Sequence, residues 1–166
     1  MCKKSISLAI LTGNNKRHSQ ALDQLAWINT WLGRYPIAQM YAYEAQKLGR
    51  VSGNLYAEAQ AVHTQAVCWK DLGDYKQSLS LVIMAQSLLA LCGTSDSMAN
   101  LALMNLQAEV HKCKSEYSEA WKIHSKILWI SADQDLYNRA AALLSIAELE
   151  VSVNIHQHGP DFHNVL

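Results

Sequence analysis

The sequence predicts an all-α chain of repeated antiparallel helix pairs, and three observations lead there. Ala, Leu, Gln, Glu and Lys dominate, and no proline interrupts the chain between Pro36 and Pro160. These residues favour helix, and the strongest helix breaker is missing from the interior. Val, Ile and Thr do not gather into alternating runs, so no strand pattern competes. Five of the seven glycines, Gly13, Gly33, Gly53, Gly73 and Gly93, stand 20 residues apart. Glycine is preferred just past a helix C-terminus, so each interval holds one helix of about 14–18 residues and a short turn.

Read in order, the glycines delimit about eight helices. The first, 2–12, stops at Gly13, and the second, 18–32, stops at Gly33. The third, 36–49, opens with Pro36 in its first turn, where a missing N–H costs nothing. The fourth, 54–72, starts from Asn54 as N-cap, and the fifth, 75–91, ends before Gly93. The sixth, 97–114, has Ser95 or Asp96 as N-cap. The seventh, 117–131, comes after a turn at Ser115 and Glu116, and the eighth covers 136–154. Beyond Asn154 the apolar period stops, so 155–166 is expected to be a loose tail.

Composition narrows the function. Half of the 166 residues are apolar, which is too many for a disordered chain and enough for a core. Fourteen Lys and Arg balance fourteen Asp and Glu, which argues against a nucleic-acid binder driven by bulk charge. No run of 18 apolar residues offers a membrane span. The basic start, Met1 to Lys4, precedes a short apolar stretch without an A-x-A-like cleavage site, so a secretory leader is not expected. Cys2, Cys68, Cys92 and Cys113 form no C-x-x-C pair or zinc-site spacing and read as small apolar residues in the reducing cytoplasm.

The turns repeat. Gly33-Arg-Tyr35, Gly73-Asp-Tyr75 and Ser115-Glu-Tyr117 match, with tyrosines 40 and 42 residues apart. Nine residues before each tyrosine stand Ala26, Ala66 and Ala108; three after stand Ala38, Ser78 and Ala120; ten after stand Ala45, Ala85 and Ile127. Small residues at fixed positions let paired helices approach closely. Gly53 and Gly93 mark turns between pairs.

This Gly-x-Tyr turn, with Ala in helix A and Ala in helix B, resembles the tetratricopeptide repeat. The period is longer than the family's usual one, as in its longer-helix variants. The mid-helix aromatic of helix A survives only as Trp69, and the repeat-terminal proline is missing. HEAT-like or armadillo-like pairs remain the second reading. The segments LAWINTWLGRYPIAQ, AVCWKDLGDYKQSLSL and LALCG most resemble tetratricopeptide regions of basidiomycete fungal proteins, many of which lie behind a signal-transduction NTPase domain. The resemblance implies a right-handed α-solenoid that acts as a protein-interaction scaffold.

The start KKSISL (3–8) aligns with KQSLSL (76–81), and NLQAEV (105–110) resembles SIAELEV (145–151). The expected order is a half repeat 1–13, repeats 18–53, 54–95 and 96–133, then a half repeat 134–154. Solenoid ends normally carry a polar outer face, which Ile6, Leu8, Ile10 and Leu11 do not supply. The alternative function is therefore a self-associating or regulatory piece of a larger fungal signalling NTPase, acting through uncapped ends.

No P-loop, H-E-x-x-H or G-x-S-x-G occurs, so neither an enzyme nor a cofactor is expected. His111 and Cys113 diverge on a helix, and His63 and Cys68 are poorly spaced for one metal. His156, His158 and His163 are expected to be incidental. The resemblance places helices A on a concave face. The expected partner-binding groove comprises Gln20, Asp23, Gln24, Trp27, Thr30 and Trp31; then Gln60, His63, Thr64, Val67, Lys70 and Asp71; then Asn105, Glu109 and Lys112, with Cys113 beside them. The family's carboxylate-gripping positions hold Asp23, Trp27, His63, Asn105 and Glu109, which breaks that pattern. Lys70 and Lys112 correspond between repeats and could share one acidic group. Trp27 and Trp31 share a helix face, and burial of at least one against helix 36–49 is expected. Trp69, Trp121 and Trp129 are expected in packing, and Tyr41, Tyr43 and Tyr56 on the convex surface. The partner is a protein or peptide, not nucleic acid or membrane.

Overall fold

A computed structural model of the protein describes residues 15–93, 98–131 and 136–157. All regular structure among them is helix: α1 Asn15–Trp31, α2 Tyr35–Val51, α3 Leu55–Asp71, α4 Tyr75–Leu91, α5 Met98–Cys113, α6 Tyr117–Ile130 and α7 Leu136–Gln157. The expected helix 2–12, Gly13 and the caps Ser95 and Asp96 lie outside the described residues. The last helix runs to Gln157, past the expected end at 154.

The turns use one device. Gly33, Gly53, Gly73 and Gly93 all have positive φ, between 65° and 85°. The amide three residues past the end of α1, α2 and α3 reaches back five residues: Arg34 N to Asn29 O at 2.8 Å, Asn54 N to Gly49 O at 2.9 Å, and Asp74 N to Trp69 O at 2.9 Å. This is the Schellman arrangement, which satisfies carbonyls that the helix end would orphan. Turns within pairs and between pairs therefore share one backbone form. The third pair repeats it without glycine: Ser115 takes φ 61°, and Glu116 N reaches His111 O at 2.9 Å. Asn54 caps α3 by accepting from Ala57 N at 3.1 Å. Asp74 caps α4 in the same way through Gln77 N, at 2.9 Å.

The chain divides into two compact units, one through Leu103 and one from Met104, and the division falls within α5. In the first unit α1 packs on α2, α3 on α4, α2 on α3, and α1 also on α3. Pairs are antiparallel: Ser19 near the start of α1 donates to Ala45 O late in α2 at 2.8 Å. Ser78, early in α4, donates to Ala66 O, late in α3, at 2.8 Å. The matched small positions Ala26, Ala38, Ala45, Ala66, Ser78 and Ala85 are all fully buried. α3 has three neighbours, and it is accordingly buried nearly all round by Ala57, Ala59, Ala61, Val62, Thr64, Ala66 and Cys68.

The tightest approach is at Gly49. A Cβ there would stand 2.8 Å from the backbone nitrogen of Glu58, across the α2–α3 contact. Arg50 then folds over the same spot, placing Nε and Nη2 at 2.9 and 2.7 Å from Glu58 Oε1. The Glu58 side chain is buried, so this pair counts for more than a surface bridge.

In the second unit α6 packs on α7. Ala120, His124 and Ile127 form the buried stripe of α6, and Ala142 and Leu149 that of α7. Trp121 and Trp129 are not packed as expected: they are 48% and 87% exposed. Trp129 lies two residues beyond Ile127, about 200° round the helix from the inner stripe. Trp69 is half-buried.

Two substitutions test these constraints by urea unfolding. Ser115→Gly relieves a left-handed non-glycine residue and is expected to stabilise by about 1 kcal/mol. Gly49→Ala forces two helix backbones apart and is expected to cost about 2 kcal/mol. An unchanged midpoint for either variant would contradict the corresponding geometry.

Candidate functional site

A depression of about 510 Å³ in the first unit is built by α1, α3 and the first residues of α5. Asp23, Gln24, Trp27 and Ile28 come from α1; Tyr56, Gln60, His63 and Thr64 from α3; Met98, Ala99 and Ala102 from α5. The lining is a consequence of helix geometry. Asp23 and Trp27, Gln24 and Ile28, Tyr56 and Gln60, and Gln60 and Thr64 are each four residues apart and share a face. The buried stripe Ser19, Leu22, Ala26 and Thr30 turns the Trp27 face sideways, out of the α1–α2 seam.

Its polar floor is one hydrogen-bonded group. Thr64 Oγ1 donates to Asp23 Oδ1 at 2.8 Å and also approaches Gln60 O at 3.3 Å. Gln60 Nε2 donates to the Tyr56 hydroxyl at 3.2 Å. Burial pushes the Asp23 carboxyl above its usual range, and the Thr64 hydrogen bond opposes that rise. The Trp27 ring stands 5.9 Å from the His63 ring, tilted by 36°. Burial lowers the His63 pKa to about 4, so the imidazole is neutral at pH 7.

Trp27 and Trp31 form an edge-on pair with centroids 6.4 Å apart. Neither is buried in the core as expected; they are 37% and 78% exposed. The buried positions are Ala26 and Thr30, each one residue earlier, which leaves the indoles on the flank of that stripe.

Six of the expected groove residues thus line one depression: Asp23, Gln24, Trp27, Gln60, His63 and Thr64. Gln20 lines a smaller adjoining hollow of about 270 Å³. Trp31 stands outside the lining, beside Trp27. Thr30 does not face the groove: it is buried, donates to Ala26 O at 3.0 Å, and lies 3.2 Å from Cys68 Sγ. Val67 is half-buried outside the lining, and Lys70 pairs with Asp71 at 3.1 Å. Asn105, Glu109, Lys112 and Cys113 belong to the second unit. There Lys112 sits 2.9 Å from Glu148 and 3.4 Å from Glu109. Burial lowers the Lys112 pKa, but these two carboxylates outweigh that and hold it above its usual range.

The residues not anticipated are Ile28, Tyr56, Met98, Ala99 and Ala102. Tyr56 was expected on the convex surface, but it lines the depression. The four-residue steps from Gln24 to Ile28 and from Tyr56 to Gln60 were the available signal. A second hollow, about 490 Å³, lies between α6 and α7 and is lined by Tyr117, Trp121, Lys122, Leu149, Glu150 and Val153, with Ser118. Among the described residues no three His, Cys, Asp or Glu side chains gather as a metal site. The tail histidines lie outside the described side chains. No described helix is long and apolar enough to cross a membrane. No family model matches the chain, and no curated protein matches it.

The neutral state of His63 has a measurable consequence. The unfolded chain takes up this proton near pH 6.5, whereas the folded chain resists it down to about pH 4. The unfolded state therefore binds more protons in that window, and stability falls as pH drops from 6.5 to 4. The shift corresponds to about 3 kcal/mol at its limit. His124 contributes with the same sign, its pKa lowered by burial against the competing field of Glu109 and Glu148. Asp23, with its raised pKa, contributes with the opposite sign. Comparing His63→Gln with the parent at pH 7 and pH 4.5 isolates the His63 contribution. The variant should lose clearly less stability on acidification; equal losses would show that His63 is not held neutral.

Proposed function

We propose that the chain is a protein-interaction module of tetratricopeptide type, a right-handed α-solenoid that binds a peptide along the α1–α3–α5 groove. The repeated pairs support this, since the same turn and the same buried small positions recur at a period of 40 to 42 residues. The observation that carries the reading is the Trp27–Trp31 pair. It leaves two indoles open beside a depression whose walls are largely apolar. Exposed, rigid aromatic side chains beside a pocket are the residues that dominate binding energy at interfaces. The mechanism is binding to a preformed surface, with no chemical step assigned. The free thiols Cys68, Cys92 and Cys113 support a reducing, cytoplasmic setting. Phage display of random peptides on the intact protein supplies the ligand. Affinity of a selected peptide should fall at least about 30-fold in Trp27→Ala, the range of an interface hot spot, and stay unchanged in Trp129→Ala. Selected peptides indifferent to Trp27 would place binding elsewhere.

A second reading is self-association, or regulation within a longer fungal signalling NTPase, through the face of α7. Ala140, Leu143, Leu144, Ala147 and Val151 are all exposed and fall within one arc of about 100°. The opposite face, with Ala142 and Leu149, is already buried. A helix apolar on both faces calls for a further helix against it. Sedimentation should show concentration-dependent association that Leu144→Lys abolishes; a monomer at every concentration would remove this reading.

A further inference from the structure

The first unit treats its acidic side chains in two different ways. Glu58 is buried and receives two guanidinium N–H groups from Arg50. Asp71 on the same helix has Lys70 at 3.1 Å. Asp23 is half-buried, and its only hydrogen bond among the described residues is from a neutral donor, the Thr64 hydroxyl, to Oδ1. Its Oδ2 has no hydrogen-bond partner among the described residues, and no described cation pairs with it. A carboxylate placed in apolar surroundings without a countercharge is unfavourable for the free protein and favourable for a ligand that brings one.

The rest of the depression points the same way. Asp23 is the one charged side chain among the eleven described residues of the lining, and Lys and Arg are absent from them. Trp27, one turn further along α1, presents an indole at the same hollow, and Tyr56 adds a phenol ring. Aromatic faces attract a desolvated ammonium or guanidinium through their quadrupole. Gln24 and Gln60 offer further amide acceptors at the rim. Ile28, Met98 and Ala102 supply the apolar wall that the methylene stem of a long basic side chain covers. His63 remains neutral at pH 7 and does not offset the carboxylate.

We infer that the peptide ligand carries a lysine or arginine whose charged head pairs with Asp23 Oδ2 while its stem packs against Trp27 and the apolar wall. This rests on the peptide-groove reading above and names the chemistry of its ligand. An acidic peptide is thereby disfavoured as occupant of this hollow: its carboxylate would meet Asp23 with no cation to hold it.

The test uses random-heptapeptide phage display on the intact protein, with fluorescence anisotropy of the selected peptides. Peptides that depend on Trp27 should share one basic position. Replacing that residue by glutamine should weaken binding at least tenfold on the parent and less than threefold on Asp23→Asn. Asparagine keeps an acceptor for Thr64, so circular dichroism should show the variant folded. Should that variant not fold, raising salt from 0.05 to 0.5 M on the parent must weaken the basic peptide and not its glutamine version. Trp27-dependent peptides with no required basic position would overturn the inference and leave the groove standing. If no selected peptide depends on Trp27, both fail together.

Discussion

Alanine, serine and glycine occupy the matched positions of the helix pairs in the first unit, beside larger buried side chains such as Leu22, Val62, Val82 and Leu89. Ala26, Ala38, Ala45, Ala66, Ser78 and Ala85 are fully enclosed, and at Gly49 even a methyl group would strike the backbone of Glu58. Small residues bury little apolar surface each, so at these positions the gain comes from close backbone approach and dispersion. Hydroxyls serve the same contact. Ser19 and Ser78 each bond a carbonyl of the neighbouring helix, so neither buried hydroxyl is left uncompensated. Arg50 reaching over the contact to Glu58 is possible only because the two helices are that close.

That seam decides where the tryptophans go. A contact made of alanine cannot house an indole, so Trp27 and Trp31 are displaced to its flank. The sequence made the seam visible, because the alanines recur at fixed distances from the tyrosines. It did not make the displacement visible, because an aromatic at helical spacing fits a core or a surface equally well. The two cases differ in the phase of Trp27 against the stripe Ser19, Leu22, Ala26 and Thr30, a phase set by which face meets α2. Thr30 departs from the predicted groove for the same reason: it belongs to the buried stripe and lies 3.2 Å from Cys68 Sγ.

Helix ends were the most legible feature, since glycine at a C-terminus reports a backbone demand that few other residues meet. The two kinds of turn inferred from the residues after each glycine share one conformation, so they differ in their flanking residues and not in their geometry. Ser115 shows that the demand comes from the repeat and not from glycine itself. Its turn keeps both backbone hydrogen bonds, and the His111 ring adds a contact of 2.6 Å to Glu116.

Charge placement was the least legible level. Lys70 and Lys112 hold equivalent sequence positions, which suggested a shared anion site, yet each already faces a carboxylate of its own: Asp71 for one, Glu148 and Glu109 for the other. A sequence shows which charges exist but not which are spent internally, because the partners lie up to 36 residues away. Once those pairs are set aside, the depression between α1, α3 and α5 has no lysine or arginine among its described lining residues, and its one charged side chain is Asp23. Its electrostatics depend on the carboxylate that the internal pairing leaves over. An anionic ligand at Lys70 or Lys112 would compete with Asp71 at the first and with Glu148 and Glu109 at the second. A cationic ligand at Asp23 breaks no ion pair among the described residues, and that asymmetry, more than the net neutrality of the chain, sets what the surface can select.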